Sequence, residues 1–272
     1  MSTVNGFWIG ELGDLQLLSM ESFIKQGHKY ILWSYDVKKT KKIVPKGVIV
    51  EDANEILDKK YIFRHWSGNL ATFADIFRYK LLYERGGWWV DLDLICLKAL
   101  PKDIKYFYGG ERVKLTGAFK SNQSHKFWIG LMRFPKGDKI LLDMYKDMLD
   151  KRKDFQTEES GLAFFYGQKR LGELLGAKYG KDFIYKRNKY NMDLFNPFSY
   201  FDMIDFFGKD GIAKKRVKYC CNRWGWERMN VEELVDRSYT IHLYNKIIKE
   251  LEERRGMRSG LLDLLERKVR RA

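Results

Sequence analysis

Short β-prone apolar runs alternate with helix-period segments along the chain, and this predicts an α/β fold with a mainly parallel central sheet flanked by helices. A second observation agrees: the clearest helical segment, Leu70–Arg85, is stopped by Gly86-Gly87 and followed at once by a strand-like run. A third is size. With 272 residues the chain suits one large domain, or one domain with a decorated end. Such a chain buries roughly 75% of its unfolded surface and needs no disulfide staples.

The elements follow in order. Phe7-Trp8-Ile9, ending at Gly10, reads as a first strand. Leu12–Lys25 carries Leu15, Leu18 and Phe23 at helical spacing, with Gly27 as its stop. Tyr30–Trp33 is aromatic and β-branched and reads as a second strand, Val48–Val50 as a third, and a short helix runs on from there to about Asp58. In Leu70–Arg85 the residues Leu70, Phe73, Phe77 and Leu81 form one apolar stripe. Trp88–Leu97 then reads as a strand with two aspartates inside it. Further on, Lys139–Leu149 and Gly161–Leu175 are predicted helices, while Tyr200–Phe207 is aromatic-rich and fits either state. From Lys246 the chain is basic and helical in period, broken near Gly256 and Gly260, which predicts two short helices. The expected division is therefore a main domain over 1–245 and a basic helical extension over 246–272.

Composition narrows the class. A 45% hydrophobic and 15% aromatic content is that of a globular chain. The net charge of +15 favours anionic company, whether nucleic acid, lipid or phosphate-bearing ligands, without choosing among them. The cysteines Cys96, Cys220 and Cys221 have no zinc-site spacing and are too few for a disulfide framework, so a reducing, cytoplasmic setting is expected. Met1–Gly6 lacks the basic and apolar pattern of a secretory signal, and no apolar run reaches membrane-spanning length.

The chemistry concentrates at Asp91-Leu92-Asp93. On a strand, residues two apart share a face, and two adjacent carboxylates repel each other near a core. A divalent cation removes that conflict. Magnesium and manganese prefer carboxylate oxygen and keep positions open for substrate phosphates. In open α/β sheets ligands bind at the carboxyl ends of strands. A metal with a diphosphate at such an end is the chemistry of nucleotide-sugar activation, because the metal stabilises charge growing on the leaving group. The pair alone is weak, since about one Asp-x-Asp arises by chance in a chain of this length. Its setting carries the reading: a helix, Gly-Gly, two tryptophans, then the pair. Trp8, near a strand end, is placed either to stack on a nucleotide base or to pack in the core. Asp36 follows a strand and suits ribose or a base edge, or simply a turn. Trp88 and Trp89 read as core and pocket wall. Cys220 and Cys221 read as buried thiols. Lys214-Lys215-Arg216-Val217-Lys218 is a solvated face or a contact for an anionic acceptor.

The stretch from Ala74 to Asp93, with Asp75-Ile76-Phe77-Arg78-Tyr79, Gly86-Gly87-Trp88 and Asp91-Leu92-Asp93, closely resembles the sugar-binding region of family 32 glycosyltransferases. Weaker similarities flank it. They are Phe7-Trp8-Ile9-Gly10, Trp33-Ser34-Tyr35-Asp36, Gly117-Ala118-Phe119 with His125-Lys126-Phe127, and a closing His242-Leu243-Tyr244-Asn245. Gly117 stands where the family often has Asn, and Glu159-Ser160-Gly161 where it tends to have Gly-Pro. The resemblance implies a GT-A fold, a manganese-type metal (or magnesium) and retaining transfer. It implies that Asp75 grips donor-sugar hydroxyls with Arg78 near the sugar or diphosphate. Asp93, Asp91 and His242 are then expected at the metal, Trp8 and Asp36 at the nucleotide, and Glu159 on the acceptor side.

The expected function is transfer of a hexose from a UDP- or GDP-sugar to a glycan or lipid-linked acceptor. The rivals are a basic nucleic-acid-binding protein and an inactive, lectin-like relative. Scattered basic residues and the lack of a nucleic-acid motif weigh against the first, and intact Asp75, Arg78, Asp91 and Asp93 against the second. The alternation of Leu and Ile with Lys and Arg in 246–272 suits either a helix lying on an anionic membrane or helices packed on the domain.

Overall fold

The computed structural model describes residues 2–112, 125–163, 165–180, 194–198, 216–222, 225–256 and 259–271. Gly117–Phe119, Lys214, Lys215 and all of Tyr200–Phe207 lie outside the described residues, as do the side chains of His125, Lys126, Arg216–Lys218, Cys220, Cys221 and Leu251.

The amino-terminal half alternates strand and helix. β1 (Thr3–Phe7) leads into α1 (Asp14–Lys25), β2 (Lys29–Ser34), the single turn α2 (Val37–Thr40) and β3 (Ile49–Asp52). Then come α3 (Ala71–Arg85) and β4 (Gly87–Val90). These four strands pair in parallel in the order β3-β2-β1-β4. β6 (Phe107–Arg112) and β7 (His125–Phe134) complete a six-stranded sheet, in which β7 runs antiparallel to both β4 and β6. The expected mainly parallel α/β sheet is therefore present. Its direction follows from the α3 crossover: a parallel partner needs a covering helix, and the Phe73–Phe77–Leu81 stripe buries α3 to form that cover.

Four elements differ from the sequence reading. β1 ends at Phe7, so Trp8 and Ile9 lie past the strand, although the Trp8 amide still reaches the Trp33 carbonyl at 3.2 Å. The run Trp88–Leu97 is two strands rather than one. β4 stops at Val90, and β5 (Leu94–Cys96) pairs antiparallel with β10 (Thr240–His242) in a separate small sheet. Asp91 and Asp93 accordingly sit in the turn between two sheets and not on one strand face. The short helix expected after Asp52 is two one-turn 3-10 segments, Ala53–Glu55 and Lys59–Tyr61. The helix expected from Gly161 begins at Tyr166 as α5 (Tyr166–Tyr179), behind α4 (Lys139–Asp150).

Gly86 ends α3 with φ 68°, and a side chain there would meet the Lys136 amide nitrogen at 2.6 Å. Both the left-handed backbone and the close approach require glycine.

The carboxyl-terminal part forms α6 (Val231–Arg237), β10, α7 (Asn245–Arg255) and α8 (Gly260–Arg271), after the β8–β9 hairpin (Arg216–Asn222, Gly225–Asn230). Ile247, Ile248, Leu261, Leu262, Leu264, Leu265 and Val269 are buried in a second core that also holds Leu15 and Leu18 of α1, Ile95 of β5, Val231, Leu234 and Ile241. Lys25 donates to the Val269 carbonyl at 2.6 Å. The apolar side of α8 thus faces protein, so these leucines are not a membrane-facing stripe. The packing also draws no boundary at residue 245, because residues on both sides of it share one core. No helix among the described residues is long and apolar enough to cross a membrane.

Leu265 is fully buried in this second core. Leu265→Ala is expected to lower unfolding free energy by about 2–5 kcal/mol in urea denaturation. Removal of 246–272 should abolish the cooperative melt, whereas a helix merely lying on the surface would be lost with the melt intact.

Candidate active site

The sheet order places a topological switch between β1 and β4: the chain leaves β1 towards β2 and β3 and returns on the other side. At such a point the loops beyond the strand ends diverge and leave a crevice. A cleft of about 400 Å³ lies there, lined by Phe7, Trp8 and Ile9 after β1 and by Asp91, Leu92 and Asp93 after β4. Asp75 and Arg78 of α3, Trp128 and Ile129 of β7, and Asn245 of α7 complete its walls. A larger groove of about 580 Å³, lined by Trp33, Glu51, Arg85 and Arg133 among others, contains none of the site residues expected from sequence.

The aspartate turn is fixed from both sides. The Asp91 amide donates to the Gly130 carbonyl at 2.8 Å, and the Leu94 amide closes back on the Asp91 carbonyl at 3.2 Å. Leu92 points inward and packs over Gly6, where a side chain would approach its Cδ1 to 2.8 Å. With the middle residue anchored in the core, the flanking carboxylates are turned to the cleft.

Arg78 holds the first of them. Its guanidinium donates to Asp91 Oδ1 at 2.7 Å and to the Ile129 carbonyl at 2.9 Å, and lies 3.4 Å from Asp75 Oδ1. It also stacks 4.6 Å from the Trp89 ring, and the Trp89 indole donates to the same Asp91 oxygen at 2.8 Å. Asp75 is buried one helical turn before Arg78, where Gly167 of α5 leaves it room: a side chain at 167 would come within 3.1 Å of Asp75 Oδ2. Asp93 is held from the small sheet. His242 Nε2 lies 3.3 Å from its Oδ2, the Asn245 amide donates to that oxygen at 3.1 Å, and the Asp93 carbonyl accepts from Leu243 at 2.9 Å. His242 packs between the rings of Trp128 and Tyr244, at 4.8 and 4.0 Å. Tyr244 is the non-glycine residue with left-handed backbone (φ 50°) among those described, and this local strain sets the start of α7 at Asn245.

Burial raises the Asp75 carboxyl to about 7, and Arg78 only partly offsets it. Burial also dominates at Asp91, whose carboxyl stays raised despite Arg78. At Asp93 burial pushes upward too, but the His242 charge, the His242 contact and the Asn245 amide outweigh it and hold the carboxyl low. The environment therefore splits the pair and makes Asp93 the stronger anion.

The other expected residues divide. Trp8 is on the cleft wall, half-buried, its indole donating to the Glu11 carbonyl at 2.9 Å. Asp36 caps α2 through the Lys39 amide at 3.0 Å and is off the cleft wall. Glu159 is exposed on the 3-10 turn Glu158–Ser160, outside the cleft lining. Of the two tryptophans expected as core and pocket wall, Trp89 lines the cleft and Trp88 is buried away from it. Two contributors have no role in the sequence reading. Gln16 is one: its Oε1 accepts from the Gly13 amide at 3.0 Å, which fixes the amide and leaves Nε2 buried at the cleft without a partner. Asn245 is the other, with Oδ1 likewise buried and unpaired. Asn245 belongs to the closing His242–Asn245 segment, but nothing in its residue type marks it out.

Among the described residues no three His, Cys, Asp or Glu side chains converge as a preformed metal cage. The donor set nonetheless fits a hard cation: a strongly anionic Asp93 beside the unpaired Asn245 Oδ1 offers oxygen ligands, with Asp91 across the turn.

Residues 15–108 match the family model of the glycosyltransferase sugar-binding region containing a DXD motif. No curated protein matches the chain. Among solved structures the chain is similar to one described as PaToxG Glycosyltransferase, at 13% identity and TM-score 0.45, over 65% of this chain and 69% of that one. The matched segment thus resembles a glycosyltransferase sugar-binding region, and Asp91-Leu92-Asp93 is the Asp-x-Asp that falls inside it.

The raised Asp75 carboxyl gives a pH signature. Between about pH 4 and 7 the unfolded chain loses this proton and the folded chain keeps it, so raising the pH favours unfolding by up to about 1.4 kcal/mol per unit. In metal-free protein, Asp75→Asn should therefore gain stability relative to wild type as pH rises from about 5 to 8. Urea midpoints of both proteins at the two pH values check this; a constant difference would remove the assignment.

Proposed function

We propose that this protein is a metal-dependent, retaining glycosyltransferase that moves a hexose from a UDP- or GDP-sugar to a hydroxyl of a glycan or lipid-linked acceptor. The observation that carries the reading is the Asp91–Asp93 turn: two differently tuned carboxylates at the switch-point cleft, Asp91 joined through Arg78 to the buried Asp75 and Asp93 paired with His242.

Each wall then has a task. Trp8 and Ile9 form an apolar face for the nucleotide base. Asp93 and Asp91, with His242 and the Asn245 Oδ1 beside them, would hold manganese or magnesium. When bound, such an ion stabilises the negative charge that develops on the departing diphosphate. Gln16 Nε2 supplies a buried N–H on the same wall, satisfied once a phosphate or ribose oxygen arrives. Asp75, with its carboxyl near 7, sits where it can accept from or donate to a sugar hydroxyl. Arg78 positions Asp91 and Asp75 against each other. In the transfer, a bond forms between the acceptor oxygen and C1 of the sugar as the bond from C1 to the diphosphate oxygen breaks, and the acceptor proton leaves with the diphosphate.

The lectin-like alternative shares the sugar site but not turnover, and the two part on catalysis. Asp93→Asn keeps the shape and removes the low-lying carboxylate; turnover of the sugar donor with manganese is expected to fall by about two orders of magnitude or more, with the melt retained. Unchanged manganese-dependent turnover in this variant would refute the assignment. Asp75→Ala should weaken the sugar donor more than the free nucleoside diphosphate, read as melting shifts with each ligand. Gln16→Glu preserves the bond to Gly13 but replaces the N–H with a carboxylate, and roughly tenfold weaker nucleoside diphosphate binding is expected.

A further inference from the structure

Among the exposed large hydrophobic side chains of the described residues only two are aromatic, Trp66 at 44% and Phe165 at 42%. They lie on separate segments that the fold ties together. Trp66 precedes α3 by a few residues, and Phe165 caps the start of α5. The Leu162 carbonyl accepts from the Trp66 indole at 3.3 Å and lies 2.9 Å from His65 Nε2, while the Trp66 amide donates to the Phe155 carbonyl at 2.9 Å. His65 is itself buried. The indole is therefore held at its N–H edge while nearly half of its surface faces water.

Phe165 lines the cleft, as do Leu70 and Ala71, which directly follow the Trp66 loop, and Trp66 lies just beyond that lining, tied to it through Leu162. Along the cleft wall Trp8 and Ile9 take the base, Asp91, Asp93 and Asn245 the diphosphate, and Asp75 the transferred sugar. The α3 and α5 ends, with Trp66 and Phe165, are what remains. Keeping the Trp66 surface in water opposes folding by the area it exposes, and a ligand that covers it recovers that loss. A pyranose ring suits the pair. Its C–H face is apolar and flat enough to lie on an indole, and its rim of hydroxyls needs polar neighbours. Exposed Ser67 stands beside Trp66, and exposed Glu158 and Glu159 lie on the strap that carries Leu162. A protein partner would need far more apolar surface than two rings provide.

We propose that Trp66 and Phe165 form the acceptor subsite, where a hexopyranosyl ring of the acceptor stacks with Glu158 and Glu159 at its hydroxyl rim. This rests on the glycosyltransferase reading and specifies a carbohydrate ring, rather than a lipid chain or peptide, as the part recognised.

The test uses full-length protein labelled with 5-fluorotryptophan, with the Trp66 fluorine signal identified by its loss in Trp66→Phe. Methyl glycosides of glucose, galactose, mannose and N-acetylglucosamine are titrated in the presence of manganese and UDP or GDP. The expected result is a saturable shift of the Trp66 signal by at least one glycoside, with the buried Trp88 signal unmoved, and loss of that shift's saturation in Phe165→Ala. A Trp66 signal unmoved by all four, or moved equally with Trp88, overturns the subsite. In turnover assays with the glycoside that binds, Trp66→Ala should lower the ratio of transfer to donor hydrolysis roughly tenfold, and Trp66→Phe should restore most of it. An unchanged ratio also overturns the proposal. Failure of the underlying reading looks different: neither UDP nor GDP with manganese then raises the melting temperature, and no donor is hydrolysed.

Discussion

The Arg78 guanidinium lies buried between two carboxylates, a main-chain carbonyl and an indole ring. Each neighbour comes from a different element: Asp75 from α3, Asp91 from the turn after β4, Ile129 from β7 and Trp89 from β4. A buried charge tolerates such a position only when its partners stay in place, because losing one leaves an uncompensated ion at a cost of about 3–5 kcal/mol. The same contacts that satisfy Arg78 therefore fix the distance from helix α3 to the aspartate turn. The width of the cleft follows from that distance, and so does the relation between Asp75 and the Asp91–Asp93 turn.

That network sits within a net excess of negative charge, and the fold resolves the excess unevenly. Asp75, buried where Gly167 packs close, is pushed towards its neutral form. Asp93 is drawn the other way by His242 and the Asn245 amide. One site thus holds a carboxyl suited to a neutral hydroxyl near one suited to a cation. The division comes from solvation and partners alone, since the residue types are identical.

The second core serves the same end. Ser19 of α1 donates to the Leu94 carbonyl at 2.6 Å, Ser22 accepts from the Cys96 amide at 2.8 Å, and β10 closes on the other edge of β5. The carboxyl-terminal helices bury Leu261, Leu265 and Val269 against α1. In this way α7 and α8 brace the strand that follows Asp93.

The sequence by itself determined the alternating α/β architecture, the helix Ala71–Arg85 with its glycine stop, and the concentration of chemistry at Asp75, Arg78, Asp91 and Asp93, because these rest on local periodicity and on a compact motif. Trp8 was legible for the same reason, lying at the end of an apolar run. Tertiary structure decided what depends on distant segments. The run Trp88–Leu97 looks continuous as a string, yet it divides at the aspartates because β7 pairs with its first half and β10 with its second. Pairing of His242 with Leu94 brings the histidine to Asp93 across a separation no periodicity reports. Asp36 accepts from the Lys39 amide as a helix cap and is absent from the cleft lining, a placement set by the turn that follows β2. The leucines of 260–271 fit a membrane or a core equally well as a pattern, and only the apolar surface of α1 and β5 decided between them. Gln16 and Asn245 stood out only once burial had stripped them of water, since an orphaned amide is a property of surroundings and not of sequence.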